Sequence, residues 1–293
     1  MSVSISPKHT LEQWPAIAGM SGGLLRSFIP GAIKSRLIDS EKEYFDTVEP
    51  ASSELIDAFI EWSGAPAERY STHLPPLFFA HYGMNMVARL TSLVPYNMLS
   101  VLNQGCRLQI NSLIPRDSKI HLRGTLVDCS KDGNRVRIHT RVVVGTEQTP
   151  EAMVVDTFAA VMLGKSAKSA GERKTPNFKT VGTWSADEHE GQRFFYLTGD
   201  FNPIHTFWPM AKRSRFGGCI LHGFASYART YETLRNAGYN VSDIDLKFVK
   251  PNLLPNYNLA VQVARKYAGT TPVQLIGQDG ERAGQVYLAG HFS

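Results

Sequence analysis

The sequence predicts an α+β chain of two related halves, each running helix, loop, long helix and then several antiparallel strands. Three observations predict it. That order of periodicities occurs twice along the 293 residues. The halves can also be laid over each other: Trp62–Tyr70 falls on Leu197–His205, and Arg107–Asp117 on Lys247–Tyr257, which matches Pro115 to Pro255. Between them, Gly164–Pro176 drops to small and charged residues, the composition of a flexible linker. The expected domains are therefore 1–163, a linker at 164–180, and 181–293.

Residues 1 to about 40 carry no motif, and their glycines and Pro30 predict an irregular extension. A helix is expected from Ala51, capped by Ser52 or Ser53, with Leu55, Ile56, Phe59, Ile60 and Trp62 on its apolar face. It ends at Ser63–Pro66. A second, long helix follows Pro75-Pro76, runs to Leu93 and is closed by Pro95. Its Phe78, Phe79, Met84 and Met86 read as core, with substrate lining as the alternative. Beyond Gly105 the period changes to two. Val136, Ile138, Thr140, Val142 and Val144 share one face of a half-buried strand, paired as a hairpin with Lys119–Val127 through Asp132-Gly133-Asn134. Met153–Leu163 is a third strand.

In the second half, Ser185-Ala-Asp-Glu188 reads as a capping box for a helix through Phe194, Phe195 and Leu197, which Gly199 ends. After Gly223 another helix sets Phe224, Tyr227, Ala228, Tyr231 and Leu234 on one stripe. Strands are expected at Asp245–Lys250, Leu259–Tyr267, Val273–Gly277 and Gln285–Phe292.

Composition narrows the function classes. With 43% hydrophobic and 19% charged residues, the chain reads as a soluble globular protein. No apolar run approaches the ~20 residues of a membrane span, and the N-terminus has no secretory pattern, so a cytoplasmic protein without a membrane partner is expected. The final Gly290-His-Phe-Ser293 gives no peroxisomal address. Cys106, Cys129 and Cys219 form no CxxC pair and read as small buried hydrophobes. The net charge of +5 is spread too thinly for a nucleic-acid stripe; a basic rim near a phosphorylated carrier fits as well as a plain solvated surface.

The densest chemistry lies in the 28 residues from Tyr196 to Gly223. Pro203 fixes its own φ and biases Asn202 toward extended backbone, so Asp200 and His205 are joined by a turn, not a helix. Such a turn can bring carboxylate and imidazole to one side, where they could orient a water and take its proton. An Asx turn serving only local backbone is the bland alternative. A metal site from Asp200, His205, Cys219 and His222 is a third option with no familiar spacing. Gly217-Gly218 allows close backbone approach, and Leu221-His222-Gly223 leads into an apolar helix. The free N–H of Gly223 or its neighbour then suits a carbonyl oxygen gaining negative charge.

Gly199-Asp200-Phe-Asn202-Pro203-Ile-His205, followed by Phe216-Gly-Gly-Cys-Ile-Leu-His222-Gly223, resembles the signature of the MaoC-like dehydratases, the (R)-specific enoyl-CoA hydratases. Asp245-Leu-Lys-Phe248 with Pro251 is similar to the strand after the long helix in those proteins. The resemblance implies a double hotdog, in which each repeat is an antiparallel sheet wrapped around a long central helix. It further implies that Asp200 and His205 hold and activate water, that the Gly223 N–H polarises a thioester carbonyl, and that Asn202 supports the loop. Gly218, His222 and Lys247 are the further candidates for substrate contact. Lys247 stands where the family usually has Arg, and Pro255-Asn256-Tyr257 where it has Pro-Gly-Asp. Ala65 and Tyr70 fall on Asp200 and His205 in the overlay, so a single site per chain is expected, in the second half.

The expected reaction is syn hydration of a trans-2-enoyl thioester to a (3R)-hydroxyacyl thioester, or its reverse, with no cofactor. The substrate would be carried by CoA or an acyl-carrier protein, and a homodimer is an admissible assembly. A hotdog thioesterase and a non-catalytic acyl-thioester binding module are the alternatives.

Overall fold

The computed structural model describes residues 4–13, 42–96, 100–164 and 176–293. Among these, ten strands form one antiparallel sheet in the order β1-β3-β4-β5-β2-β8-β12-β11-β10-β6. The first half supplies β1 (Glu43–Val48), β2 (Val101–Ile110), β3 (Ile120–Asp132), β4 (Arg135–Gly145) and β5 (Met153–Met162). The second supplies β6 (Lys179–Ala186), β8 (Asp243–Phe248), β10 (Asn256–Val263), β11 (Thr271–Gly277) and β12 (Val286–Phe292). The halves join where β2 pairs antiparallel with β8, Gly105 opposite Lys247 and Gln109 opposite Asp243. A separate two-stranded piece pairs β7 (Ile220–Leu221) with β9 (Asn252–Leu253).

The alternation read in Arg135–Val144 is observed: Val136, Ile138, Thr140, Val142 and Val144 are all buried. Its hairpin partner β3 runs on to Asp132, so the turn closes at Gly133, whose φ of 58° is the left-handed conformation a tight hairpin needs.

α1 (Ser53–Ser63) forms as its sequence predicts. Ser52 caps it by accepting from the Leu55 N–H at 3.2 Å, and Gly64 ends it at φ 83°. The Ser52 hydroxyl also donates to Glu12 at 2.8 Å. Ser52→Ala is therefore expected to cost about 1 kcal/mol of stability; an unchanged thermal midpoint would contradict this capping role.

The long helix expected after Pro75-Pro76 is broken into a 3-10 turn at Pro76–Phe78, α2 (Phe79–Tyr82) and α3 (Met84–Thr91). The Phe79 ring lies against Gly83, where a Cβ would come within 2.1 Å of it, and glycine holds helix poorly. Phe78, Phe79 and Met86 are buried core residues, and Met84 is partly buried against the same core.

The start of α4 (Glu190–Thr198) also differs from the sequence expectation. Ser185 belongs to β6, so no capping box forms there. Asp187 does the local work instead, accepting from the His189 N–H at 2.9 Å and from Arg193 at 2.7 Å. Gly199 ends α4 at φ 74°. α5 (Pro203–Thr206) and α6 (Trp208–Arg213) are short, and α7 (Gly223–Asn236) is the long central helix of this half. Phe224, Tyr227, Ala228, Tyr231 and Leu234 are all buried, and the Tyr227 hydroxyl donates to the Ile244 carbonyl at 2.7 Å, tying α7 to β8.

At the join of β2 and β8, Arg107 stands opposite Asp245, and short bridges elsewhere pair His73 with Pro115 and Ile220 with Leu253. Tyr70, aligned with His205 by sequence, is buried and donates to Glu232 on α7 at 2.8 Å, where Arg69 also bonds at 2.7 Å. The linker expected at 164–180 and the extension at 1–40 lie mostly outside the described residues. Of the latter, Pro7–Leu11 is a 3-10 helix. No described helix is long and apolar enough to cross a membrane.

Candidate active site

Asp200 follows the left-handed Gly199, which turns the chain out of α4. Asn202 is extended (φ −131°, ψ 121°), as a residue before proline favours, and its side chain accepts from the Ile204 N–H at 3.2 Å. Pro203 takes the first position of α5, where its missing N–H costs nothing. The segment joining Asp200 to His205 thus includes one helical turn, where the sequence predicts a turn alone. Asn202 caps that turn and sets its entry angle.

His205 places its Nδ1 2.7 Å from the Ile220 carbonyl oxygen. A carbonyl only accepts, so Nδ1 carries the proton and Nε2 keeps its lone pair. His222 stacks against it with ring centroids 3.8 Å apart. The His222 Nε2 lies 3.0 Å from the Asp200 backbone carbonyl and by the same reasoning donates to it. One buried imidazole therefore packs on the ring of His205 and holds the backbone of Asp200.

Burial governs the protonation of all three groups. Desolvation is the first cause for His205, followed by neighbouring His222; Asp200 and the Ile220 carbonyl oppose them, and the imidazole is lowered to about 3. Burial lowers His222 to about 3 as well. The Asp200 carboxyl is pushed up by burial, with His205 opposing. Both rings are neutral at pH 7, and no hydrogen bond among the described residues joins the Asp200 carboxylate directly to His205.

Gly223 is the first residue of α7, so its N–H has no partner within the helix. A Cβ there would lie 2.8 Å from the Phe248 ring, which packs across the helix start. Asp200, His205 and Gly223 remain partly exposed, whereas His222 is 1% exposed.

The structure brings His205, His222 and the Asp200 backbone into contact, with Gly223 next to His222 at the start of α7. His222 has no surface to offer a substrate and touches the site through Asp200 and His205. Gly218 is buried, its Cβ position 3.1 Å from the Leu253 side chain on β9. Lys247 is exposed on the face of β8 opposite Leu246 and Phe248, and Phe248 is the residue that reaches Gly223. Its side chain stands on the face of β8 away from the buried Leu246. Among the described residues, no three His, Cys, Asp or Glu side chains converge as a metal site.

Two supporting residues carry little signal in the sequence. Gly191 in α4 faces the His205 backbone, and a Cβ there would stand 2.0 Å from the His205 carbonyl oxygen. A lone glycine inside a helical pattern was the available clue. Gln13, 0% exposed, donates to the Leu197 carbonyl at 3.1 Å and meets His81 Nδ1 at 2.8 Å, linking the N-terminal segment to the run that enters the Asp200 loop. No local pattern marks it.

Known proteins share features with this region of the chain. The MaoC like domain family matches residues 167–271, which include every residue from Asp200 to Gly223. The chain carries a MaoC-like domain. No curated protein matches the sequence. Among solved structures, HtdX of Mycobacterium tuberculosis is similar at 18% identity and TM-score 0.67, covering 85% of this chain and 98% of its own. A MaoC-like dehydratase from Phytophthora capsici is similar at 13% identity and TM-score 0.70, covering 87% and 95%. A Mycobacterium tuberculosis protein described as a double hotdog fold matches at 13% identity and TM-score 0.50, covering 87% and 96%. At these identities the likeness is one of fold, and the fold is a double hotdog whose second repeat contains most of the MaoC-like domain.

Proposed function

We propose that this protein is a hydro-lyase of acyl thioesters that adds water reversibly to a trans-2-enoyl thioester, giving the (3R)-hydroxyacyl product. The observation that carries the reading is the fixed tautomer of His205. Its Nδ1 is committed to the Ile220 carbonyl, so a bare, partly exposed Nε2 stands beside a carboxylate that is not bonded to it.

A water shared by His205 Nε2 and Asp200 donates a hydrogen to each. As its oxygen bonds C3 of the enoyl group, its proton passes to Nε2 and the C2=C3 electrons move onto the thioester oxygen. The unpaired Gly223 N–H meets that oxygen, a contact typically worth ~2.7 to 4 kcal/mol in a transition state. The captured proton then goes to C2 on the same face, which makes the addition syn and restores neutral His205. Atoms balance with one water consumed, and the reverse path is the dehydration.

A hotdog thioesterase would share the fold and the thioester but would release a thiol. Following crotonyl-CoA by loss of enoyl absorbance and by free-thiol release separates the reactions: hydration without thiol supports the reading, and thiol release alone removes it.

The protonation state gives a second expectation. The ring signals of His205 and His222 in an NMR titration are expected to stay constant between pH 8 and 5, because burial holds both far below the ordinary histidine value. In that window the unfolded chain takes up protons that the native state refuses. Stability therefore falls as pH drops below 6.5, by at most about 1.4 kcal/mol per pH unit for each ring. A titration of either ring near 6.5 would contradict the neutral pair.

A further inference from the structure

The segment that carries Asp200 and His205 turns apolar side chains outward. Phe201 is 38% exposed, Phe207 56%, Trp208 56% and Met210 52%. No residue of α5 is buried, and Ala211 is the only buried residue of α6. Four large exposed apolar side chains within ten residues exceed the scattered singles of an ordinary surface and need a cover.

The same segment is cationic. Lys212, Arg213 and Arg215 are all exposed, with Lys212 Nζ 4.6 Å from the centre of the Trp208 ring. No Asp or Glu occurs between Asp200 and Glu232. The cover must therefore be negative at its rim and apolar at its centre.

We propose that this ridge is the docking surface of an acidic carrier protein that presents its acyl thioester to Asp200 and His205. The assignment rests on the hydro-lyase reading for the thioester, and on the ridge alone for the acidic protein. Position favours it: Phe201 adjoins Asp200 in the chain, and Phe207 is two residues from His205, so a partner seated there brings a flexible thioester arm directly to the site. A free nucleotide could stack on Trp208 but would leave Phe201, Phe207 and Met210 bare. A second copy meeting through this face would set like charges against each other across a two-fold axis.

The test compares crotonyl thioesters of an acidic acyl-carrier protein, of CoA and of pantetheine. Two variants are used, Lys212→Glu/Arg213→Glu/Arg215→Glu and Trp208→Ser/Met210→Ser, whose altered side chains are exposed. Both are expected to lower kcat/KM for the carrier-bound substrate by about tenfold or more, leaving crotonyl-pantetheine unchanged and removing the salt dependence in the charge variant. Surface plasmon resonance with the pantetheinylated, unloaded carrier protein reads docking without turnover. Wild type that binds the carrier but hydrates nothing would keep the docking surface and remove the hydro-lyase reading; hydration with carrier binding unaffected by either variant would do the reverse. Equal losses on CoA and carrier substrates would overturn the proposal in favour of nucleotide binding. So would a ridge-dependent change of mass in sedimentation, or ridge-dependent binding to phosphatidylglycerol vesicles in place of the carrier.

Discussion

His205→Ala and Asp200→Asn are each expected to lower kcat for crotonyl-CoA hydration by roughly a hundred- to ten-thousand-fold, the usual contribution of a positioned acid–base group. The His205 change removes the Nε2 lone pair that takes the water's proton. The Asp200 change replaces an acceptor oxygen with a donor, so the second hydrogen of that water meets a repulsive contact. Both side chains are partly exposed and neither is part of the buried core, so circular dichroism and the thermal midpoint should stay close to wild type. Near wild-type turnover in either variant would contradict the proposed roles. A collapse of the fold would show that the loop is structural first.

Gly191→Ala is the second large effect, and it acts without touching the reacting groups. A methyl at that position begins 2.0 Å from the His205 carbonyl oxygen, whereas ordinary contact begins above 3 Å. The oxygen belongs to backbone, so the α5 turn must move by about 1 Å, and a misplacement of that size can cost a hundredfold in rate. The KM for crotonyl-CoA should change much less than kcat, because Gly223 and the start of α7 stay where they are. A variant that loses only stability, with kcat intact, would show that the loop tolerates the shift.

The particular residues that were legible in the sequence share a feature: their signal is local. Ser52 and Gly64 bracket α1 by capping chemistry, Val136 to Val144 alternate, and Asn202-Pro203 fixes its own backbone, so each was readable from neighbours in the chain. The break at Gly83 was hidden because it depends on where the Phe79 ring settles. β6 was hidden because Lys179–Ala186 looks polar and pairs with a strand about eighty residues away. In the candidate site, Asp200, His205 and Gly223 stood out through their spacing. The orientation of Lys247 did not, because a two-residue period shows which residues share a face without showing which face the helix covers. His222 could be placed near the site by sequence, but its bond to the Asp200 backbone is a contact between segments more than twenty residues apart. Gln13 and Gly191 act through backbone carbonyls, which carry no residue identity to read.

The most direct test is the product formed from crotonyl-CoA by the wild-type chain in deuterated water, resolved by chirality. The expected result is (3R)-3-hydroxybutyryl-CoA with deuterium at C2 added syn to the hydroxyl, no free thiol, and product formed about a hundredfold or more slowly by Asp200→Asn. A (3S) or racemic product, thiol release in place of hydration, or product formed equally by the Asp200→Asn variant would contradict it.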